Sequence, residues 1–185
     1  EKLVQAVEAL WDVGIVVVTA AGNYGPRPGS ITSPGISKKV ITVGSCDDQF
    51  YMEEGKKKRK SYSGRGPTAE CVVKPDLLAP GSYITSCNAR YREKGQKPYT
   101  MKSGTSMSTP VVSGAIALLL SKYPDMSNVE VKLRLRESSI DIGRPQNEQG
   151  WGLLNVEKLL KEDPKLKNVL LRMLPVRCSG RKLSV

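Results

Sequence analysis

Residues 15–25 read IVVVTAAGNYG. The run IVVVTA (15–20) is an unbroken β-branched and small apolar stretch, the pattern of a buried parallel strand. Gly22 and Gly25 flank Asn23 and turn the chain into a loop, AGNYGPRPGS. Immediately upstream, KLVQAVEALWD (2–12) sets Leu3, Val7, Leu10 and Trp11 on one face at helical spacing, and Gly14 closes that helix. Downstream, KVITVGS (39–45) is a second buried strand. Helix, strand, loop and strand in this order predict an α/β domain with a mainly parallel sheet. Such sheets carry their sites at the carboxyl ends of the strands, and Asn23 falls at one of those ends.

The rest of the chain continues the pattern. Residues 46–70 are polar and charged and predict an exposed hairpin or long loop, with Asp47 and Asp48 as solvated charges. VVKPDLLAPGSYITS (72–86) mixes prolines with short apolar runs and predicts short strands and turns. Ser106 to Tyr123 is helical, ending before Pro124, and Ser127 or Asn128 caps a further helix through about Glu137. GWGLLNVEKLL (150–160) reads as a turn and a last helix. These segments make one unit over 1–160, followed by a basic tail, 161–185, in which a short helix around Leu166 to Leu174 precedes an irregular end.

With 185 residues the chain is long enough for one domain with its own core, and 39% hydrophobic residues exclude a disordered composition. The longest apolar stretch, Val111 to Leu120, is interrupted by Ser113 and Gly114 and falls short of the roughly 20 residues a membrane helix needs, so no membrane partner is expected. The net charge of +11 is uneven, with KKKRK at 56–60. No aromatic residues alternate with these lysines, so the run reads as a solvated loop tip and not as a nucleic-acid site. Four cysteines, Cys46, Cys71, Cys87 and Cys178, form no C-x-x-C pair, and the chain has no histidine to complete a zinc site. They read as reduced small apolar residues, although three disulfide pairings are formally open.

The absence of histidine matters most at KSGTSMSTPVVSG (102–114). Gly104 permits a sharp turn, and Thr105 and Ser106 open a helix whose first N–H groups lack intrahelical partners. Those donors and the helix dipole favour negative charge beside Ser106, where an acyl-transfer intermediate places an oxyanion. Pro110 is tolerated in the first turn. Ser and Thr also open helices as plain caps, and an Asn between glycines also serves a turn, so neither stretch alone requires chemistry.

Taken together, VVVTAAGNYG, KVITVGS, YSGRGPT, KPDLLAPG, SGTSMSTPVVSGAIALLL and GWGLLNVEKLL occur in the order seen in the subtilisin-like serine proteases, the subtilases, and the resemblance covers about residues 2–160. It implies a subtilisin-like three-layer α/β domain whose N-terminal portion is not in this sequence. It also implies that Ser106 is the nucleophile, with Asn23 and the Ser106 N–H as the oxyanion hole. Ala20, Ala21 and Gly22 would form one wall of the pocket for the residue before the scissile bond, and Thr32 to Gly35 would contribute to its base. In this family the triad follows the order Asp, His, Ser. Its Asp and His are therefore expected in a preceding segment, which acts as a partner, so that this chain alone is a poor protease or none. The substrate would be a polypeptide, and no metal or organic cofactor takes part in the chemistry. Subtilases often bind structural calcium, and no acidic cluster of this sequence is assigned to it.

One position departs from the family. Where a histidine distinct from the triad base commonly follows Thr-Pro, this chain has Val111, expected to pack in the helix. Two other readings compete with the protease. One is a subtilase-like domain that binds peptides without cutting, and the other is a polyanion-binding module built on KKKRK.

Overall fold

The computed structural model describes residues 2–48 and 61–161. A parallel sheet runs in the order β1 (Val18–Ala20), β2 (Ile41–Ser45), β3 (Leu77–Ala79). Val18 stands opposite Ile41, and Val43 opposite Leu77. The middle strand, β2, is buried at every residue, as KVITVGS predicted. The run IVVVTA is less enclosed than expected. Only its end pairs, Val16 to Val18 are half-buried and Ile15 is exposed, because β1 is an edge strand among the described residues. A second, antiparallel pair joins β4 (Ile84–Cys87) to β5 (Tyr99–Lys102). β5 has no signature in the sequence, since YTMK is exposed or half-buried and carries no alternating apolar signal.

Alternate residues of a strand point to opposite faces, and the sheet uses both. Ile41, Val43, Leu77 and Ala79 belong to the core shared with α2 (Thr105–Lys122), which contributes Val112, Ala115, Ile116 and Leu119. Val131 and Leu135 of α3 (Asn128–Ser138), Leu159 of the last described helix (Val156–Leu160) and Trp11 of α1 (Lys2–Asp12) complete it. Ser127 starts α3 with a reciprocal cap, its hydroxyl accepting from the Glu130 N–H at 3.3 Å while Glu130 accepts from the Ser127 N–H at 2.7 Å. Helix α1 meets the core only through its last turn: Trp11 is buried and its carbonyl accepts from Asn128 Nδ2 at 2.7 Å, but Leu3 and Leu10 are exposed. Val111, expected to pack, is also exposed.

The second face of the sheet is covered by ordered loops and by a short helix, α4 (Gln146–Gln149), that lies over them. Here the reading of residues 46–70 as exposed needs correction. Asp48, Tyr62, Ser63 and Thr68 are buried, because this segment supplies the backbone partners of the β1 loop: Gly64 N–H donates to Gly22 O at 2.8 Å and Gly25 N–H to Tyr62 O at 2.9 Å. Asp47 and Asp48 are likewise not solvated charges. Asp47 Oδ1 accepts from the N–H groups of Gly81 and Ser82 at 2.9 and 3.0 Å, and Asp48 Oδ2 from the Ser63 N–H at 3.1 Å. The turn before the last helix also does more than expected, since Leu153 bridges both Leu78 and Ile140. Cys46, Cys71 and Cys87 are free thiols, Cys71 and Cys87 exposed. The KKKRK run, Cys178 and the tail helix lie outside the described residues.

Beneath the sheet sits a buried ionic cluster. Lys74, 1% exposed, donates to Asp76 Oδ2 at 2.5 Å and to Val40 O at 3.0 Å, and the same carboxylate accepts from the Thr42 N–H at 2.7 Å. Lys132 approaches Asp76 Oδ1 at 3.8 Å and donates to Lys39 O at 2.8 Å. Burial pushes the Lys132 ammonium down to about 8, with Asp76 opposing and Lys74 reinforcing the shift. Its unfolded value is near 10.5, so between those limits the unfolded chain holds more protons and stability rises with pH. The Tm advantage of the native chain over Lys132→Met is therefore expected to grow by a few degrees between pH 7 and pH 10 in thermal melts. A constant difference would show that Lys132 stays charged.

Candidate active site

Ser106 is the second residue of α2, whose cap is Gly104, a residue with no side chain to offer the helix. Asn23 takes over that task from the end of β1. Its Oδ1 accepts from the Thr105 N–H at 2.9 Å and from Thr105 Oγ1 at 3.1 Å. A backbone N–H only donates, so the amide oxygen must face Thr105 and the Nδ2 group is turned outward. Nδ2 passes 3.1 Å from where a Cβ would stand on Gly104, whose φ of 152° also favours glycine. The Met107 N–H folds back to Gly104 O at 2.8 Å. Between these two, the Ser106 N–H and its hydroxyl have no hydrogen-bond partner among the described residues, and Ser106 is exposed.

The sequence-predicted pocket wall lies beside this pair. Ala21 is buried and Ala20 half-buried, and Gly22 N–H donates to Thr105 Oγ1 at 3.1 Å. Gly22 holds φ +93°, and a Cβ there would stand 2.4 Å from Thr32 Oγ1. Thr32 N–H donates to Ala21 O at 3.0 Å, and Thr42 Oγ1 donates to Gly35 O at 2.7 Å. Residues 20–22 and 32–35 thus lie against each other. The fold brings Ser106, Asn23 and this wall to one place.

Several residues that fix the arrangement do not stand out in the sequence. Thr105 is one: fully buried, its hydroxyl accepts from Gly22 and donates to Asn23, so it sets the orientation of the amide. Gly81 O accepts from the Gly104 N–H at 2.9 Å, and Ser108 Oγ donates to Ala79 O at 3.0 Å. Both tie the turn around Ser106 to the carboxyl end of β3. Asp47 holds Gly81 in turn. Burial pushes its carboxyl up, but hydrogen bonds from Ser45, Gly81 and Ser82 outweigh it and keep the group below the usual carboxylate range. Tyr62 closes the network, its hydroxyl 2.9 Å from both Ser45 Oγ and Ser82 Oγ. The available signal is the position of Asp47, just past the end of a buried strand.

A structural calcium ion does not fit these carboxylates. Asp47 and Asp48 are committed to backbone amides, and among the described residues no three His, Cys, Asp or Glu side chains converge. Chemically, the arrangement offers an exposed hydroxyl, two unpaired N–H donors and the positive end of an 18-residue helix. The chain has no histidine, and among the described residues no carboxylate or amine is hydrogen-bonded to the Ser106 hydroxyl.

Known proteins share this frame. AprX, a serine protease of Bacillus subtilis (strain 168), is 43% identical over 167 residues, covering 85% of this chain and 38% of AprX. Subtilisin DY of Bacillus licheniformis is 38% identical over 157 residues, covering 84% of this chain and 50% of its own length. The chain therefore spans half or less of these curated relatives. Among solved structures, the prenylagaramide maturation protease PagA superposes with a TM-score of 0.62 at 29% identity, over 84% of this chain and 53% of PagA. The self-cleaved protease domain of PatA gives 0.61 at 26% identity, over 86% of this chain and 54% of its own. Residues 2–152 match the sequence model of the subtilase family, peptidase S8, and with the parallel sheet and the Ser106 turn described above, this chain belongs to that family.

Proposed function

We propose that Ser106 is the nucleophile of a serine endopeptidase and that Asn23 and the Ser106 N–H form its oxyanion hole. One observation carries the reading: Asn23 bonds Thr105, the residue before Ser106, and the Ser106 hydroxyl, the Ser106 N–H and Asn23 Nδ2 each lack a partner among the described residues. Oγ attacks the substrate carbonyl as its proton passes to a base. The carbonyl oxygen becomes the anion that the two N–H groups accept into hydrogen bonds. Collapse breaks the C–N bond and the proton leaves with the amine. Water then releases the acyl group from Ser106. Residues 20–22, facing 32–35, hold the side chain before the scissile bond.

The base belongs, in this proposal, to a histidine of a preceding segment, oriented by an aspartate there. The surface of the chain supports such a partner. Val111 and Leu118 of α2 are exposed, beside small and polar residues such as Ser113 and Ser121. The outer edge of β1 carries no strand among the described residues, and Leu3, Leu10, Val13 and Ile15 are also exposed. A docked segment would cover these groups.

A fluorophosphonate probe tests the nucleophile. The protein carrying its upstream segment should be labelled, the Ser106→Ala variant should not, and this chain alone should react far more slowly. A folded, upstream-containing protein that stays unlabelled would favour a domain that binds peptides without cutting. For the oxyanion hole, Asn23→Asp keeps the acceptor for Thr105 and replaces the outward donor with a negatively charged oxygen. It should lower kcat by at least about 10²-fold with a much smaller change in KM, the scale on which subtilisin itself responds to loss of its oxyanion-hole asparagine. A loss confined to KM would move Asn23 out of the reaction.

A further inference from the structure

On the other side of Ser106 from Asn23 lies a groove of about 610 Å³. Its floor is one face of the β4–β5 hairpin. The register pairs Ile84 with Lys102 and Ser86 with Thr100, so these four side chains share a face. Arg90 and Met107 also line it. Helix geometry puts the groove opposite the acyl pocket. Thr105, which touches Gly22 and Asn23, and Met107, which lines the groove, are two residues apart and so diverge by about 200° around the axis. Ser106 stands between them. The hairpin is fixed to this turn, since the Tyr83 N–H donates to Ser103 Oγ at 2.8 Å.

The charge of the groove is one-sided. Residues 84–102 carry five basic side chains, Arg90, Arg92, Lys94, Lys97 and Lys102, against a single acid, Glu93. Glu93 does not line the groove, whereas Arg90 and Lys102 do. Both are exposed, and neither pairs with a carboxylate among the described residues. Unpaired cations in a groove beside a nucleophile favour an anionic occupant.

We propose that this groove receives the residues on the leaving-group side of the scissile bond and selects acidic ones. Such a role rests on Ser106 being the nucleophile. The occupant is a polypeptide because the groove opens on the residue after Ser106, and Ile84, Thr100 and Met107 give its backbone and aliphatic stems an apolar floor beneath the two cations.

The test uses the active, upstream-containing protein and quenched fluorescent peptides that share one acyl side. They differ in carrying Glu, Ala or Lys at the two positions after the scissile bond. The ratio of kcat/KM between two substrates, measured on one sample, is independent of how much of that sample is folded. Glu peptides are expected to exceed Lys peptides by about tenfold at low salt, for two exposed cations that attract one and repel the other. The ratio should shrink toward one as salt rises from about 0.02 to about 0.5 M. The double variant Arg90→Glu, Lys102→Glu should invert it. A Glu-to-Lys ratio near one in the native protein, or one that survives the double reversal, overturns this inference and leaves the nucleophile assignment intact. A protein that neither cleaves any peptide nor reacts at Ser106 with the fluorophosphonate overturns the nucleophile assignment itself.

Discussion

The rest of the site depends on one oxygen atom. Asn23 Oδ1 receives both donors of Thr105 across 82 residues of sequence, and so joins the end of β1 to the start of α2. A helix that begins at a glycine has no side chain of its own to satisfy its first N–H groups, and an unsatisfied donor is costly. Asn23 satisfies one of them from outside the helix. This choice leaves the next N–H, that of Ser106, open, and it turns the amide donors in the same direction. One cap therefore fixes the helix position, orients the amide and keeps two donors unpaired. A helix capped by its own serine would have lost that last property, because its side chain would have taken the donors.

Such a junction holds only if the two strands that flank it stay in register. β1 alone is three residues long and half-open. Its position is set by β2, and β2 is held from beneath by Asp76, whose carboxylate takes the Thr42 N–H and the Lys74 ammonium together. A buried pair of this kind is a weak source of net stability, because desolvation offsets much of its attraction. Its value lies in specificity: a carboxylate bonded to a β2 amide and to a lysine that also binds Val40 O admits one alignment of these segments. At the other end of β2, Asp47 does the same for Gly81, and through Gly81 for Gly104. Two aspartates thus anchor the sheet at its base and at its working end.

How much of this is legible follows from which interactions are local. IVVVTA, KVITVGS and the helix after Ser106 declare themselves by periodicity, and Ser127 by its cap, because each depends on neighbours a few residues away. The loops mislead for the opposite reason. Residues 61–68 are polar, which reads as exposure, but their polar groups are satisfied by the backbone of Gly22 and Gly25, far away in sequence. Asp47 and Asp48 look solvated until their amide partners, 34 and 15 residues distant, are in place. Leu3 and Leu10 err the other way, since helical spacing reports an apolar face and not what covers it. Ser106 and Asn23 are readable only through the resemblance of a whole ordered set of motifs. Thr105 is in plain view inside that set, yet its hydroxyl relay is a matter of direction, which spacing does not encode.

The same geometry shows why the donors at Ser106 need a separate base. A serine hydroxyl stays protonated near neutral pH, and a helix N-terminus stabilises a nearby anion by about 0.3–2 kcal/mol. That is of the order of one pKa unit, since each unit corresponds to about 1.4 kcal/mol. The helix end and two N–H groups therefore suit an oxyanion that forms during attack, where they act without reorganising, but they cannot ionise the serine beforehand. Lysine offers no remedy here: the lysines with depressed affinity for protons, Lys74 and Lys132, are committed to Asp76 beneath the sheet. On the acyl-transfer reading, stabilisation of the oxyanion and removal of the proton are thus divided between two parts of the fold. The exposed apolar residues of α2 and the open edge of β1 are surfaces on which those parts would meet.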